Sequence, residues 1–248
     1  MKVAILGSGI SGLLAAWACC NSDVDYEVYS MDTAPPKPIG FTFLHSSCGI
    51  PLQPQTLIQV VVPPDVGVEE ASKFYSKKVY GTDVVGNSLP YVFANPEIEI
   101  YNMSEAVKFL WETTHRKRKT FRDLDEVIRF SEGFDVTFST IPIDKLDYNT
   151  HYFFVESFVE IREFDAPHRN VVFYNGGVDT GAYRWGHLFG QYFEEKRERP
   201  GTPVRKVAFV KDMPEVPSNL ILCGRYGAWD KSILSHDVYD MVLEKVNG

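Results

Sequence analysis

Three features of the 248-residue chain predict an α/β fold interrupted by a smaller, inserted antiparallel sheet. The first twelve residues read as a short apolar strand, a GxGxxG turn and the start of a small-residue helix. Strand and helix patterns of the same type return in the middle and near the C-terminal end. Between them lie stretches that alternate apolar and polar residues, as antiparallel strands do. The pattern fits a Rossmann-like nucleotide domain built from separated segments around an insert. The expected division places 1–52, 123–150 and 215–248 in the nucleotide domain. The insert, 53–122 with 151–214, would carry the substrate.

Residues 3–6 form the first strand. Gly7 permits the tight turn, Gly9 lets the backbone approach a pyrophosphate, and Gly12 lets the following helix pack on the strand. Ser8 and Ser11 share this turn and are candidate cofactor contacts with the glycines. The helix start offers free N–H groups and a positive dipole end to phosphates. The next strand spans 26–32, and an acid near its end would bond ribose hydroxyls. Asp32, about twenty residues past the last glycine, is the candidate, with Ser30 at the alternative position. Residues 33–40 are a loop by composition.

Further along, 55–62 is β-rich and ends at Pro63 and Pro64. Residues 68–78 read as helix, as do 104–114, where Ala106, Val107, Phe109, Leu110 and Trp111 supply the apolar face and Ser104 the cap. Residues 134–142 read as a buried strand stopped by Pro142, with Thr140 at its cofactor end. Strands are expected at 152–164 and 170–174, an amphipathic helix at 185–196, and strands at 205–210 and 219–224. The final helix is expected at 236–246.

The formal net charge of −8 gives no global positive field for nucleic acid. One basic run, residues 115–122, reads either as a solvated loop or helix end or as a local phosphate contact. None of the four cysteines has metal-ligand spacing. Cys19 and Cys20 read as packing residues on the first helix, and a reducing compartment, the cytoplasm, is expected. The glycines interrupt the N-terminal apolar stretch, which argues against a secretory signal. No apolar run is long enough to cross a bilayer.

The C-terminal run, Leu220 to Gly224 with Arg225, Tyr226 and Gly227, leads into a helix beginning near Ser235. Here the chain resembles the FAD-binding proteins related to UDP-galactopyranose mutase and, more distantly, the amine oxidases. The resemblance implies a Rossmann-like FAD-binding domain with Gly224 and Arg225 at the pyrophosphate. It also implies that the backbone around Ser235, His236 and Asp237 faces the flavin. Residues 40–46, from Gly40 through His45 to Ser46, are similar to the mutase segment beside the flavin ring. Residues 134–142 resemble that family's middle strand. Residues 182–190 resemble its late segment, with Tyr183 and Arg184 near the substrate. Thr42 stands where mutases carry a first His, and the chain is short for a UDP-binding helical domain. Both features weigh against sugar-ring contraction.

A small flavoprotein of this shape also resembles those found with bacteriophage thymine-hypermodification enzymes. That resemblance implies oxidation of an amine or amino-acid-like group, with an amino-acid-modified thymine in DNA as the specific substrate and 115–122 as the DNA contact. His45 is the favoured acid–base group. Arg184 beside Tyr183 suits a substrate carboxylate, and His187 and His236 are further candidates. A redox-neutral mutase-like enzyme and a non-catalytic FAD- or nucleotide-binding module are the alternatives. NAD alone is the competing cofactor, since one GxGxxG does not separate the two.

Overall fold

The computed structural model describes residues 1–39, 42–80, 88–163, 169–177, 182–197 and 201–248. Strand β1 (Lys2–Leu6) is fully buried beyond its first residue. It is followed by α1 (Ile10–Asn21) and β2 (Asp25–Ser30). Later segments add β6 (Arg116–Arg118), β7 (Val136–Ser139) and β13 (Leu220–Leu222). These five strands form one sheet in the order β13-β7-β1-β2-β6. Every pair in it is parallel. A parallel sheet is covered on both faces, so its central strand is continuously apolar. One face packs Val3, Ile5 and Phe138 against α1 and the last helix, α7 (Ser235–Asn247). The other packs Ala4 and Leu6 against α5 (Leu124–Ser131) and Trp229.

The second sheet is built from β3 (Phe43–Leu44), β4 (Gln55–Val62), β5 (Glu97–Asn102), β8 (Tyr152–Glu163), β9 (Asn170–Asn175), β10 (Arg184–Leu188), β11 (Gln191–Lys196) and β12 (Thr202–Val210). Its order is β12-β8-β11-β10-β9-β4-β5-β3, giving eight strands against the five of the parallel sheet. All its pairs are antiparallel except β4 with β9. Helices α2 (Val68–Tyr80) and α3 (Ser88–Ala94) pack Ala71, Tyr75, Leu89 and Val92 onto one face. Helix α4 (Met103–Thr113) instead packs on α1 and residues 44–50.

The helix expected at 185–196 is a hairpin, β10 and β11. Trp185, Leu188, Phe189, Tyr192 and Phe193 fall by coincidence at helical spacing. The glycines override that period. Phe189 and Gly190 adopt φ of 48° and 81°, the left-handed pair that a two-residue hairpin turn requires. A Cβ on Gly186 would lie 2.0 Å from the Val171 carbonyl oxygen, so the close approach of β10 to β9 requires glycine there.

The cap of α4 is Asn102, not Ser104. Its side-chain oxygen accepts from the N–H groups of Ser104 at 2.9 Å and Glu105 at 3.4 Å. Of the two helix-borne cysteines, Cys19 is buried in the core and Cys20 is exposed. The basic run contains β6, the edge strand of the parallel sheet.

Candidate cofactor and substrate site

The turn after β1 is closed by contacts that only glycine permits. Gly7 has φ +100°, and a Cβ there would sit 2.6 Å from Thr140 Oγ1. On Gly12 a Cβ would sit 2.1 Å from the Gly7 carbonyl oxygen. Gly9 is the opposite case, with no heavy atom within 4 Å of its Cβ position. Its backbone therefore fronts open space at the start of α1, where no side chain caps the helix. Free N–H groups at such a terminus attract phosphate. Thr140 holds the turn from behind, its Oγ1 donating to the Leu6 carbonyl at 3.0 Å.

Asp32 lies just past β2 and is exposed. The hydroxyls of Ser8 and Ser30 lie 2.8 and 3.1 Å from its Oδ2, where one donates to the carboxylate directly and the other to its neighbouring hydroxyl. The two hydroxyls also contact each other at 2.6 Å. Ser8 is fully buried and Ser30 nearly so, so this network ties the glycine turn to the end of β2 and fixes the carboxylate. The two positions weighed for the ribose acid thus act together, one holding the other.

The C-terminal element comes onto the same turn. Gly224 has φ +72°, and a Cβ on it would meet Ser11 Oγ at 2.7 Å. Gly224 opens the single-turn α6 (Gly224–Gly227). Arg225 Nε donates to the Ile233 carbonyl at 3.3 Å, bracing the loop that leads to α7. Ser235 is the first residue of α7. Asp237 accepts from the Leu234 N–H at 2.6 Å. Its other oxygen lies 3.4 Å from His236 Nε2. Gly40 lies outside the described residues.

His45 and His236 meet, their rings 5.5 Å apart, although nearly the whole chain separates them. Phe43 and Tyr91 complete this group, with ring centroids 4.7 and 6.0 Å from His45. Burial, and then the His236 ring, push the His45 imidazole down to about 4, with Asp237 opposing. His45 is therefore neutral at pH 7 and a weak base. The same shift sets a stability trend. Between about pH 6.5 and 4 the unfolded chain holds a proton that the folded chain lacks, so stability falls as pH drops through that window. We expect about 2 kcal/mol of loss from this residue after discounting for its partial exposure. Urea melts at pH 7 and 4.5 check it: His45→Gln should lose less stability than the parent, and an identical loss would contradict the assignment.

Arg184 opens β10 of the second sheet, and Tyr183 immediately precedes it. Tyr183 is buried and packs edge-on to Tyr75, 6.2 Å away. Arg184 Nε donates to Glu195 Oε2. Glu195, which sequence reasoning missed, is fully buried. Its Oε1 accepts from Ser157 Oγ at 2.7 Å and pairs with Lys206 Nζ at 2.8 Å. Burial alone would raise the Glu195 carboxyl, but Arg184 and Lys206 hold it well below the carboxylate range. The available signal was alternation: in a β11 read as a strand, Glu195 falls on the inward side with Phe193. His187 lies on β10, its ring 5.3 Å from Tyr192.

Most of the basic run has partners within the chain. Arg116 stacks on Trp111 at 3.6 Å and donates to the Trp111 and Thr114 carbonyls. Lys117 pairs with Glu27 and Arg122 with Glu126. Lys119 lies over the rings of Phe121 and Phe130. Arg118 is exposed on the edge strand. Among the described residues, no group of three or more His, Cys, Asp or Glu side chains is placed to hold a metal. No helix among them is long and apolar enough to cross a membrane.

No protein-family profile matches the chain, and no curated protein sequence matches it significantly. Solved structures do share its fold. Reduced UDP-galactopyranose mutase superposes with a TM-score of 0.57 at 10% identity, over 99% of this chain and 94% of that one. A flavin-dependent brominase superposes with a TM-score of 0.53 at 10% identity, over 100% of this chain and 80% of that one. A flavoprotein/dehydrogenase from Cytophaga hutchinsonii gives 0.53 at 10% identity, over 100% and 79%. The fold is therefore the α/β fold of these flavoproteins, a parallel sheet joined to a curled mixed sheet.

Proposed function

We propose that the chain is an FAD-dependent oxidoreductase acting on an amine or amino-acid-like group. The observation that carries this reading is the contact of Gly224 with Ser11. It brings the Gly-Arg turn of α6 against the first turn of α1, so two glycine backbones converge where a pyrophosphate would lie. Gly7, Gly9 and Gly12 provide the cradle, and open space at the Gly9 Cβ position is what a bound phosphate needs. Asp32 would take the ribose hydroxyls. Arg225 would add charge at the phosphates, and the α7 terminus would face the flavin. Bound FAD supplies a two-electron acceptor. His45, neutral at pH 7 and weakly basic, would line the site as a polar group rather than take the proton of an ammonium; the amine would have to arrive already deprotonated.

Within this reading, an amino-acid-modified thymine in DNA is the most specific substrate, with the exposed Arg118 as a phosphate contact. Binding to DNA that weakens steeply with salt would support it. A mutase-like, redox-neutral reaction is the second reading, favoured by the match over nearly the full length of the mutase.

The visible spectrum of the purified protein, before and after anaerobic addition of amines and amino acids, tests the proposal. Flavin bands that bleach with one of them support it. Flavin that never bleaches with any amine, but turns over a sugar nucleotide once reduced, favours the mutase reading. A colourless protein that takes up no added FAD overturns both. Asp32→Ala removes the proposed ribose acceptor and the anchor of Ser8. It should weaken FAD binding about tenfold, the loss of roughly one charge-assisted hydrogen bond. Fluorescence titration with FAD measures this, and unchanged affinity would exclude Asp32 from the site.

A further inference from the structure

We propose that Tyr226 and Arg205 are positioning residues for the nucleotide. Through them the second sheet holds the turn of Gly224 and Arg225 against α1, so that nucleotide binding and the docking of β12 reinforce each other. The inference rests on the phosphate cradle described above and concerns what keeps that cradle in shape.

Helix α6 cannot hold its own position. It is four residues long, and no side chain caps its start. A single helical turn does not repay the cost of ordering it in water. The segment also carries backbone that neighbours must impose. Gly224 has φ +72°, and Trp229, just beyond the helix, has φ 49° despite its Cβ. Below, the fit is close: a Cβ on Gly227 would lie 2.7 Å from the Ser139 carbonyl oxygen of β7. Sideways, the restraint comes from the other sheet. Tyr226 OH donates to the Arg205 carbonyl of β12. Trp229 Nε1 donates to the Phe153 carbonyl of β8 at 3.2 Å, and its ring packs edge-on to Tyr152, 4.9 Å away. Strands β12 and β8 are neighbours, with β12 at the end of the sheet.

Arg205 makes a second tie. Its Nη2 pairs with Asp144 Oδ2 at 2.9 Å, and its guanidinium lies 3.9 Å over the Phe154 ring. Asp144 sits in the short turn Ile143–Lys145, shortly after Thr140, which braces the glycine turn through the Leu6 carbonyl. One residue of β12 thus fastens both segments that border the cradle. Its carbonyl holds the segment with Gly224 and Arg225, and its side chain holds the segment that starts at Thr140. Burial pushes the Tyr226 hydroxyl up, so it remains a donor at neutral pH. A turn held from outside spends more of its time in the binding shape, and apparent affinity rises with that fraction. The coupling is reciprocal: a nucleotide that needs the turn in place strengthens the tie that keeps it there.

Fluorescence titration with FAD and calorimetric titration with ADP, on folded parent and on Tyr226→Phe, test the proposal. The variant keeps the ring and loses one hydrogen bond, so both affinities should fall about fivefold. Hydrogen exchange supplies a readout that a purely structural bond would not move. Bound FAD should slow exchange across residues 202–210 in the parent, and Tyr226→Phe should lose most of that protection. Arg205→Met, which keeps its carbonyl but loses Asp144, should also weaken both ligands. A lower urea midpoint with unchanged affinity would make Tyr226 structural only and overturn the proposal. Protection of 202–210 that survives in Tyr226→Phe would do the same. If Tyr226→Phe does not fold, Arg205→Met decides by the same two criteria. In a parent that binds ADP but not FAD the flavin reading falls, and the ADP ratio alone decides this one. A parent that binds neither overturns both.

Discussion

Glu195→Gln is expected to destabilise the fold by about 3–5 kcal/mol, the usual result of removing one partner from a buried ion pair. The magnitude follows from what remains. Arg184 and Lys206 would face each other across a neutral amide, both largely drawn from water, with Ser157 among their polar neighbours. For a domain stable by about 5–15 kcal/mol, such a loss is a large fraction of the whole. Urea denaturation at pH 7 measures it. A second substitution sharpens the result: adding Lys206→Met to Glu195→Gln should restore part of the loss, because it removes one of the stranded cations. A cost under about 1 kcal/mol for the single variant would mean that the cluster is effectively solvated.

Gly12→Ala is expected to abolish flavin binding at accessible concentrations. Alanine favours helices over glycine by up to about 1 kcal/mol, so helix propensity predicts a gain. Geometry decides otherwise. The added methyl would stand 2.1 Å from the Gly7 carbonyl oxygen and 2.9 Å from Thr140 Oγ1, and the nearest obstacle is backbone. Helix α1 must then withdraw from β1, opening the turn that forms the proposed phosphate cradle. Overpacking of this type costs about 1–3 kcal/mol in stability. The effect on FAD affinity should be larger, a hundredfold or more. Gly9→Ala is the control: its Cβ position is open, so it should fold normally and oppose only the ligand. Normal FAD uptake by Gly12→Ala would remove the turn from the proposed site.

The first strand, turn and helix were legible because three independent requirements coincide within twelve residues. β4 was legible to the residue, since its Val-rich alternation is bounded by prolines. The hairpin at 184–196 was not, because its aromatic residues fall at helical spacing while two glycines set the actual geometry. Helix α5 went unread: eight residues with an Asp123 cap are too short to establish a period beside a basic run. At the site, His45 and His236 were each readable as candidates, but their approach depends on how α7 packs on α1. Glu195 was invisible for a related reason. Its partners come from β8, β10 and β12, and nothing local to 191–196 announces a buried carboxylate.

The order of strands in the parallel sheet has a consequence for the ribosome. β1 pairs with β2 almost at once, but its other neighbour, β7, belongs to residues 136–139 and β13 to 220–222. The apolar side of α1 is covered by Val238 and Val242 of α7, near the end of the chain. At about 5–20 residues per second, this buried, apolar strand waits several seconds or more with one edge unpaired. Its helix waits longer still with Ala15, Ala16 and Cys19 uncovered. Strand β1 and helix α1 therefore stay partly uncovered while residues up to α7 are made. The protein's yield in a cell should depend on chaperones that shield those elements until α7 emerges.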